Sequence, residues 1–158
     1  MKVYLETVNR DRQNYLSFLK LADPDEAVVN SYFDSGEVFK IVVGDKVVGV
    51  LHLVEIDDET LEIKNIAILP EYRGRHIGST ALQSLIELCR GNHYKRIYVG
   101  TANSSIENFK FYQKNGFRFD HIVPDFFLNY DQSIYENGIQ ALDMLYLVYR
   151  FDDKKKED

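Results

Sequence analysis

Cysteine is nearly absent: Cys89 stands alone among 158 residues. No internal disulfide can form, and a reducing, cytoplasmic setting is the expectation. Long apolar runs are missing too. None approaches the ~20 residues a membrane helix needs, and the opening MKVYLETVNRDR has no apolar stretch behind its single lysine, so neither a membrane span nor an export leader is expected. There is no surplus of basic residues. Nineteen Lys and Arg against 25 Asp and Glu leave a net charge of -6, which argues against nucleic acid as a partner and suits a cationic one better. Without Cys/His clusters at ligand spacing, no metal site is expected. No Ser/Gly/Pro-rich linker and no repeat interrupts the chain, so one domain is expected over residues 1–151, with the charged run 152–158 as a solvated tail.

What is present alternates between strand-like and helix-like patterns. VYLETV at 3–8 reads as a strand, and RQNYLSFLKL at 12–21 as a short helix with Tyr15, Leu16, Phe18 and Leu19 on its apolar side. Asp23, Pro24 and Glu26 form a helix-start signal, with Asp23 as the capping carboxylate. EVFKIVV at 37–43, a Gly44-Asp45 turn and KVVGVLHLVEI at 46–56 predict a hairpin, extended by LEIKNIAIL into a three-stranded meander. From Ile77 the period becomes helical, with Ile77, Ala81, Leu82, Leu85, Leu88 and Cys89 on one side until Gly91-Asn92. RIYVGT, a helix ENFKFYQKNG, a strand FRFDHIV, an aromatic and acidic loop PDFFLNYDQSIYENG, and a strand LDMLYLVYR complete the chain. Strands and helices mixed in this order imply a layered α/β (α+β) domain.

The chemistry concentrates in YRGRHIGS, residues 72–79, where a strand hands over to a helix. The first N–H groups of a helix have no partner within it, and the helix dipole adds positive charge, so such an end attracts phosphate. Gly74 and Gly78 permit close backbone approach, Arg73 and Arg75 can pair with phosphate oxygens, and Ser79 offers a hydroxyl. A nucleotide P-loop needs a lysine after its second glycine, and a dinucleotide fingerprint needs a third glycine and a distant acid. Neither is present. A plain tight turn with a basic rim is the other reading of the same residues.

IKNIAILPEYRGRHIGSTAL resembles the acetyl-CoA signature of the GNAT superfamily of N-acetyltransferases, R/Q-x-x-G-x-G/A between strand and helix. Arg73 matches its first position and Gly78 its last, while His76 stands where the family usually has a glycine. NSSIENFKFYQKNGFRF at 103–119 resembles the family's second signature, a helical tyrosine four residues before Gly-Phe, here Tyr112, Gly116 and Phe117. The family often has an asparagine seven residues before that tyrosine. Ser105 occupies the place here, with Asn103 and Asn108 nearby.

The resemblance implies a mixed, largely antiparallel sheet of about seven strands with about four helices, and direct acetyl transfer from acetyl-CoA to a primary amine of a small molecule, peptide or protein. It implies that the cofactor's pyrophosphate lies on Arg73, Gly74, Arg75, His76, Ile77, Gly78 and Ser79, and that its pantetheine arm runs beside Ile66, Ala67 and Ile68. Asn103 or Asn108 would add a contact. Tyr112 would be the general acid, its competing reading being a core aromatic. Glu62 would deprotonate the amine through water, with Glu55 as the rival carboxylate. His52 reads as a structural histidine. The acceptor site would use the first two helices, the hairpin and the 124–139 loop, where Asp125, Asp131 and Glu136 with Phe126, Phe127, Tyr130 and Tyr135 suit a cationic amine. A packed surface loop or a homodimer contact is the other reading of that loop. A domain that binds acyl-CoA without turnover is the alternative to an enzyme.

Overall fold

The computed structural model describes residues 2–23 and 25–151. Pro24, the side chain of Glu26 and the tail 152–158 lie outside the described residues. Strands β1 (Val3–Thr7), β2 (Glu37–Val43), β3 (Lys46–Asp57), β4 (Thr60–Ile68), β5 (Arg96–Ala102) and β6 (Arg118–Val123) are joined by helices α1 (Leu16–Ala22), α2 (Glu26–Tyr32), α3 (Ile77–Arg90) and α4 (Ile106–Lys114). A short hairpin, β7 (Tyr135–Glu136) and β8 (Ile139–Gln140), precedes the last strand, β9 (Met144–Arg150). Seven of these strands make the main sheet, so the α/β class with its largely antiparallel sheet is as expected.

The chain divides into two compact units, residues 1–55 with 63–92, and residues 56–62 with 93–158. In the first, β1, β2, β3 and β4 lie side by side, with β1–β2 and β2–β3 antiparallel. Val48 to Val54 of β3 are buried without interruption, as befits a strand covered on both faces. The face toward α1 and α2 is sealed by Val8, Leu19, Val29, Tyr32, Val38, Val50 and Ala67. On α3 the buried stripe is Ile77, Ala81, Leu82, Leu85, Ile86 and Cys89. Leu88 is a correction to the expected stripe: it falls at its margin, 56% exposed, and Ile86 on the other margin fills the core instead.

The cap of α2 is a second correction. Asp25, extended at φ -84° and ψ 107°, accepts from Val28 N at 3.2 Å. Asp23 sits two residues too early to reach that donor, and its carboxylate accepts from Asp25 N instead.

In the second unit β9 lies between β5 and β6 and is antiparallel to both. The tip of the β3–β4 hairpin joins it, since Glu59 O accepts from Lys95 N at 2.8 Å and Thr60 Oγ1 from Arg96 at 2.6 Å. The loop expected at 124–138 contains more order than its composition implied. Asn137 and Gly138, at φ 57° and 74°, form the two-residue turn between β7 and β8.

Candidate active site

The two stretches singled out by the sequence lie one in each unit. In the first, β4 ends at Ile68 and Pro70–Tyr72 makes a single 3₁₀ turn, leaving residues 73–76 exposed before α3 begins. Arg73 folds back, its Nε donating to Ile68 O at 2.8 Å, and the Arg75 guanidinium lies 5.3 Å from the centre of the Tyr72 ring. Gly74 is left-handed at φ 76°, and a Cβ there would meet nothing within 4 Å. His76 is left-handed as well, at φ 63° and ψ 15°, and serves as the N-cap residue of α3. The family's glycine position therefore keeps its glycine-like backbone. Histidine is among the side chains that tolerate this region best. His76 O accepts from Thr80 N at 3.0 Å and Thr80 Oγ1 at 2.9 Å, and buried Ile77 anchors the first helical turn.

Left-handed residues stand on both sides of Arg75, and the α3 start that follows has no side-chain cap on its free N–H groups. An exposed turn with two arginines at an uncapped helix start suits a diphosphate. Leading into it, β4 buries Leu61, Ile63, Asn65 and Ala67 on one face and carries Glu62, Ile66 and Ile68, half-buried, on the other. A small apolar depression lined by Ser17, Phe18, Leu21 and Leu69 lies on the α1 side of this unit.

In the second unit the spacing of Tyr112, Gly116 and Phe117 has a structural cause. Phe117 N donates to Tyr112 O at 3.0 Å and Gly116 N to Gln113 O at 3.1 Å, with Gly116 at φ 95°. That pair of bonds is a Schellman ending, and its usual apolar contact is present as Tyr112 against Phe117, ring centres 5.5 Å apart. Tyr112 is 4% exposed, and burial alone pushes its hydroxyl well above the ordinary 10. The phenol therefore holds its proton at neutral pH, the state a general acid needs.

The asparagines separate. Asn103 Oδ1 accepts from Leu142 N and Asp143 N at 2.7 and 3.0 Å, and its Nδ2 donates to Gln140 O at 3.1 Å, so its amide ties down the segment before β9. Asn108 is exposed and donates to Thr101 Oγ1 at 3.0 Å. Glu136 also has structural work, since one of its oxygens accepts from Ser104 Oγ at 3.1 Å and Ser105 Oγ at 2.5 Å. Phe126, Phe127 and Tyr130 pack on one another, with ring centres 5.1 and 4.8 Å apart. Asp125 is exposed and left-handed at φ 59°, Asp131 is exposed, and Tyr135 is 64% exposed.

Of the two candidate bases, Glu62 is half-buried and Glu55 exposed. Burial first, and then the Glu62 charge, push the Tyr146 hydroxyl up to about 12. His52 is fully buried, with Nε2 2.6 Å from Ser35 O, and burial lowers its pKa below 6.5. It is a structural histidine. Among the described residues no cluster of three or more His, Cys, Asp or Glu could hold a metal, and no helix is long and apolar enough to cross a membrane.

The model of the Acetyltransferase (GNAT) family matches residues 5–117, a span drawn from both units. The chain belongs to the GNAT acetyltransferase family. Among its GNAT relatives, the uncharacterised N-acetyltransferase YvbK of Bacillus subtilis is 37% identical over 147 residues, 92% of this chain and 95% of the relative. A GNAT acetyltransferase from Elizabethkingia anophelis, solved with acetyl-CoA bound, superposes with a TM-score of 0.88 at 34% identity, covering 94% of this chain and 97% of that one. A Bacillus subtilis acetyltransferase solved with CoA gives 0.86 at 36% identity, over 94% and 99%.

Proposed function

We propose that this GNAT member is an acetyl-CoA-dependent N-acetyltransferase in which a primary amine, of a small molecule or of a peptide or protein, attacks the acetyl group directly within a ternary complex. The observation that carries this reading is the exposed, doubly left-handed turn opening α3. Its fit to a diphosphate agrees with the acetyl-CoA and CoA held by relatives of the same fold.

When bound, acetyl-CoA supplies an activated acyl carbon and a thiolate leaving group. The backbone N–H groups of residues 74–78, with Arg73 and Arg75 at the rim and the hydroxyl of Ser79 at the helix start, hold the diphosphate. The backbone of Ile66, Ala67 and Ile68 pairs with the extended arm as an added strand would, and one N–H there stabilises the developing oxyanion. Glu62, the less exposed of the two candidate carboxylates, removes the ammonium proton through water. Tyr112 gives its phenolic proton to the departing sulfur. Asn108 is the better candidate for a cofactor contact, because the Asn103 amide is occupied within its own unit. In this reading residues 1–151 are a single N-acetyltransferase domain, and the protein works in the cytoplasm.

Acetyl-CoA is expected to raise the melting temperature, and an amine screen that follows free thiol is expected to find turnover. A chain that shifts with acetyl-CoA yet releases no thiol with any amine would be a binding domain. No shift at any usable concentration would remove the cofactor assignment altogether.

A further inference from the structure

One face of the second unit carries a row of rings with no assigned task. Gly100, Tyr146 and His121 are level with one another across β5, β9 and β6. A Cβ on Gly100 would stand 2.9 Å from Tyr146, so the missing side chain is what lets that ring lie over β5. His121 stacks on Tyr146 with centres 4.7 Å apart and planes 10° from parallel, and Tyr98 meets both edge-on at 5.8 and 6.5 Å.

A β-bulge builds this row. Phe119 pairs with Leu147, but the next pair is His121 with Tyr146, because the extra residue Asp120 shifts the register. Regular pairing would have set Asp120 opposite Tyr146. The bulge puts an imidazole there instead, the kind of re-aiming for which bulges recur beside active sites. Asp120 then fixes the imidazole from the side, its carboxylate accepting from His121 Nδ1 at 2.6 Å and from Arg150 at 3.2 Å. The His121 side chain remains 49% exposed, and Tyr98 and Tyr146 half-buried, so the row faces solvent.

On β4, the strand next to β5, stands Glu62, two residues beyond Thr60, whose hydroxyl accepts from Arg96, itself two residues before Tyr98. The effect of the Glu62 charge on the Tyr146 hydroxyl puts the two within electrostatic reach. An ammonium beside Glu62 gains a carboxylate and aromatic faces together, and a planar group attached to it gains ring stacking along Tyr146 and His121.

We propose that Tyr98, His121 and Tyr146 are specificity-determining residues that hold the aromatic body of an arylalkyl primary amine whose nitrogen lies at Glu62. This rests on the N-acetyltransferase reading above. The other carboxylate at the rings, Asp120, is paired with His121 and Arg150, and a polyamine would need several spaced anions, so a monoamine with a flat body suits the row better.

The test compares 2-phenylethylamine, n-hexylamine and spermidine as acceptors for the full chain with acetyl-CoA, alongside direct calorimetric binding of 2-phenylethylamine. The aryl amine is expected to lead in kcat/KM by about tenfold. His121→Ala, at an exposed edge position, should raise its KM roughly three- to tenfold with kcat nearly unchanged, and leave hexylamine almost unaffected. Tyr146→Leu should act in the same direction and more strongly. Equal or better turnover of hexylamine or spermidine, or KM changes that are the same for all three amines, would overturn the proposal while leaving the N-acetyltransferase reading intact. If no amine is turned over but 2-phenylethylamine binds the parent and not His121→Ala, the ring row is a binding site and the catalytic reading is what fails. If it neither binds nor reacts, the row has no such role.

Discussion

At the α3 start the groups proposed to work are backbone N–H groups, in an exposed turn shaped by two left-handed residues. At the end of α4 the group proposed to work is one phenol oxygen, on a buried tyrosine held by a helix ending. Both places need a left-handed residue, yet one uses His76 at φ 63° and the other Gly116 at φ 95°. Surroundings explain the choice. Residue 76 is exposed and has room for a side chain, whereas a Cβ on Gly116 would stand 2.9 Å from the Tyr149 ring. A site made of backbone can exchange side chains as long as the dihedral angles survive. A site made of one side-chain atom cannot.

The sharpest way to break this contrast is Tyr112→Phe. The ring, its contact with Phe117 and the helix ending all remain, so acetyl-CoA affinity and melting temperature should hold while kcat falls about 10²–10⁴-fold. Single-turnover kinetics on a true acceptor would measure it, and parental turnover would relieve Tyr112 of the acid role. Next in size, Gly116→Ala should cost about 1–2 kcal/mol from the left-handed backbone alone, with the Tyr149 contact adding to it, as denaturant unfolding would record. His76→Gly should do the opposite on a smaller scale, stabilising by up to about 1 kcal/mol once the backbone freedom of glycine in the unfolded chain is set against the strain removed. Acetyl-CoA affinity should change less than about twofold. A large loss of affinity would mean that the imidazole, and not only the N–H of residue 76, contributes to binding.

The smallest effect concerns a second histidine, which titrates where its backbone plays no part. Burial holds His52 below its ordinary 6.5, so its contribution to stability is complete above that value. As pH falls through 6.5 the unfolded chain takes up a proton that the folded chain resists, and stability declines toward the lower folded value. Melting curves below pH 6.5 should fall more steeply for the parent than for His52→Gln.

Much of this was legible in the order of residues. The switch from period two to period 3.6 at Ile77 located α3 and the turn that opens it, and Tyr112-x-x-x-Gly-Phe is a complete local recipe for a helix ending. Asn137-Gly138 carries a two-residue hairpin signal, but the expectation for the aromatic segment that contains it was a loop. Other features were not legible. Asp23 and Asp25 are equally good caps by composition, and only the dihedral angles of Asp25 select it. Leu88 and Ile86 flank the same stripe, and the packing of α3 decides between them. Asn103 looks like a cofactor ligand until residues 140–143 fold back onto its amide.

Local rules are written in short stretches of chain: a helix start, a capping glycine, an alternation of apolar residues. The sequence by itself therefore determined the family, the turn that opens α3 and the helix ending at Tyr112. The row formed by Gly100, Tyr146 and His121 depends on which residues of three strands lie level, and on one extra residue at Asp120 that shifts the register. Cross-strand register is settled by the packing of the whole sheet, so only the tertiary structure could bring those rings together.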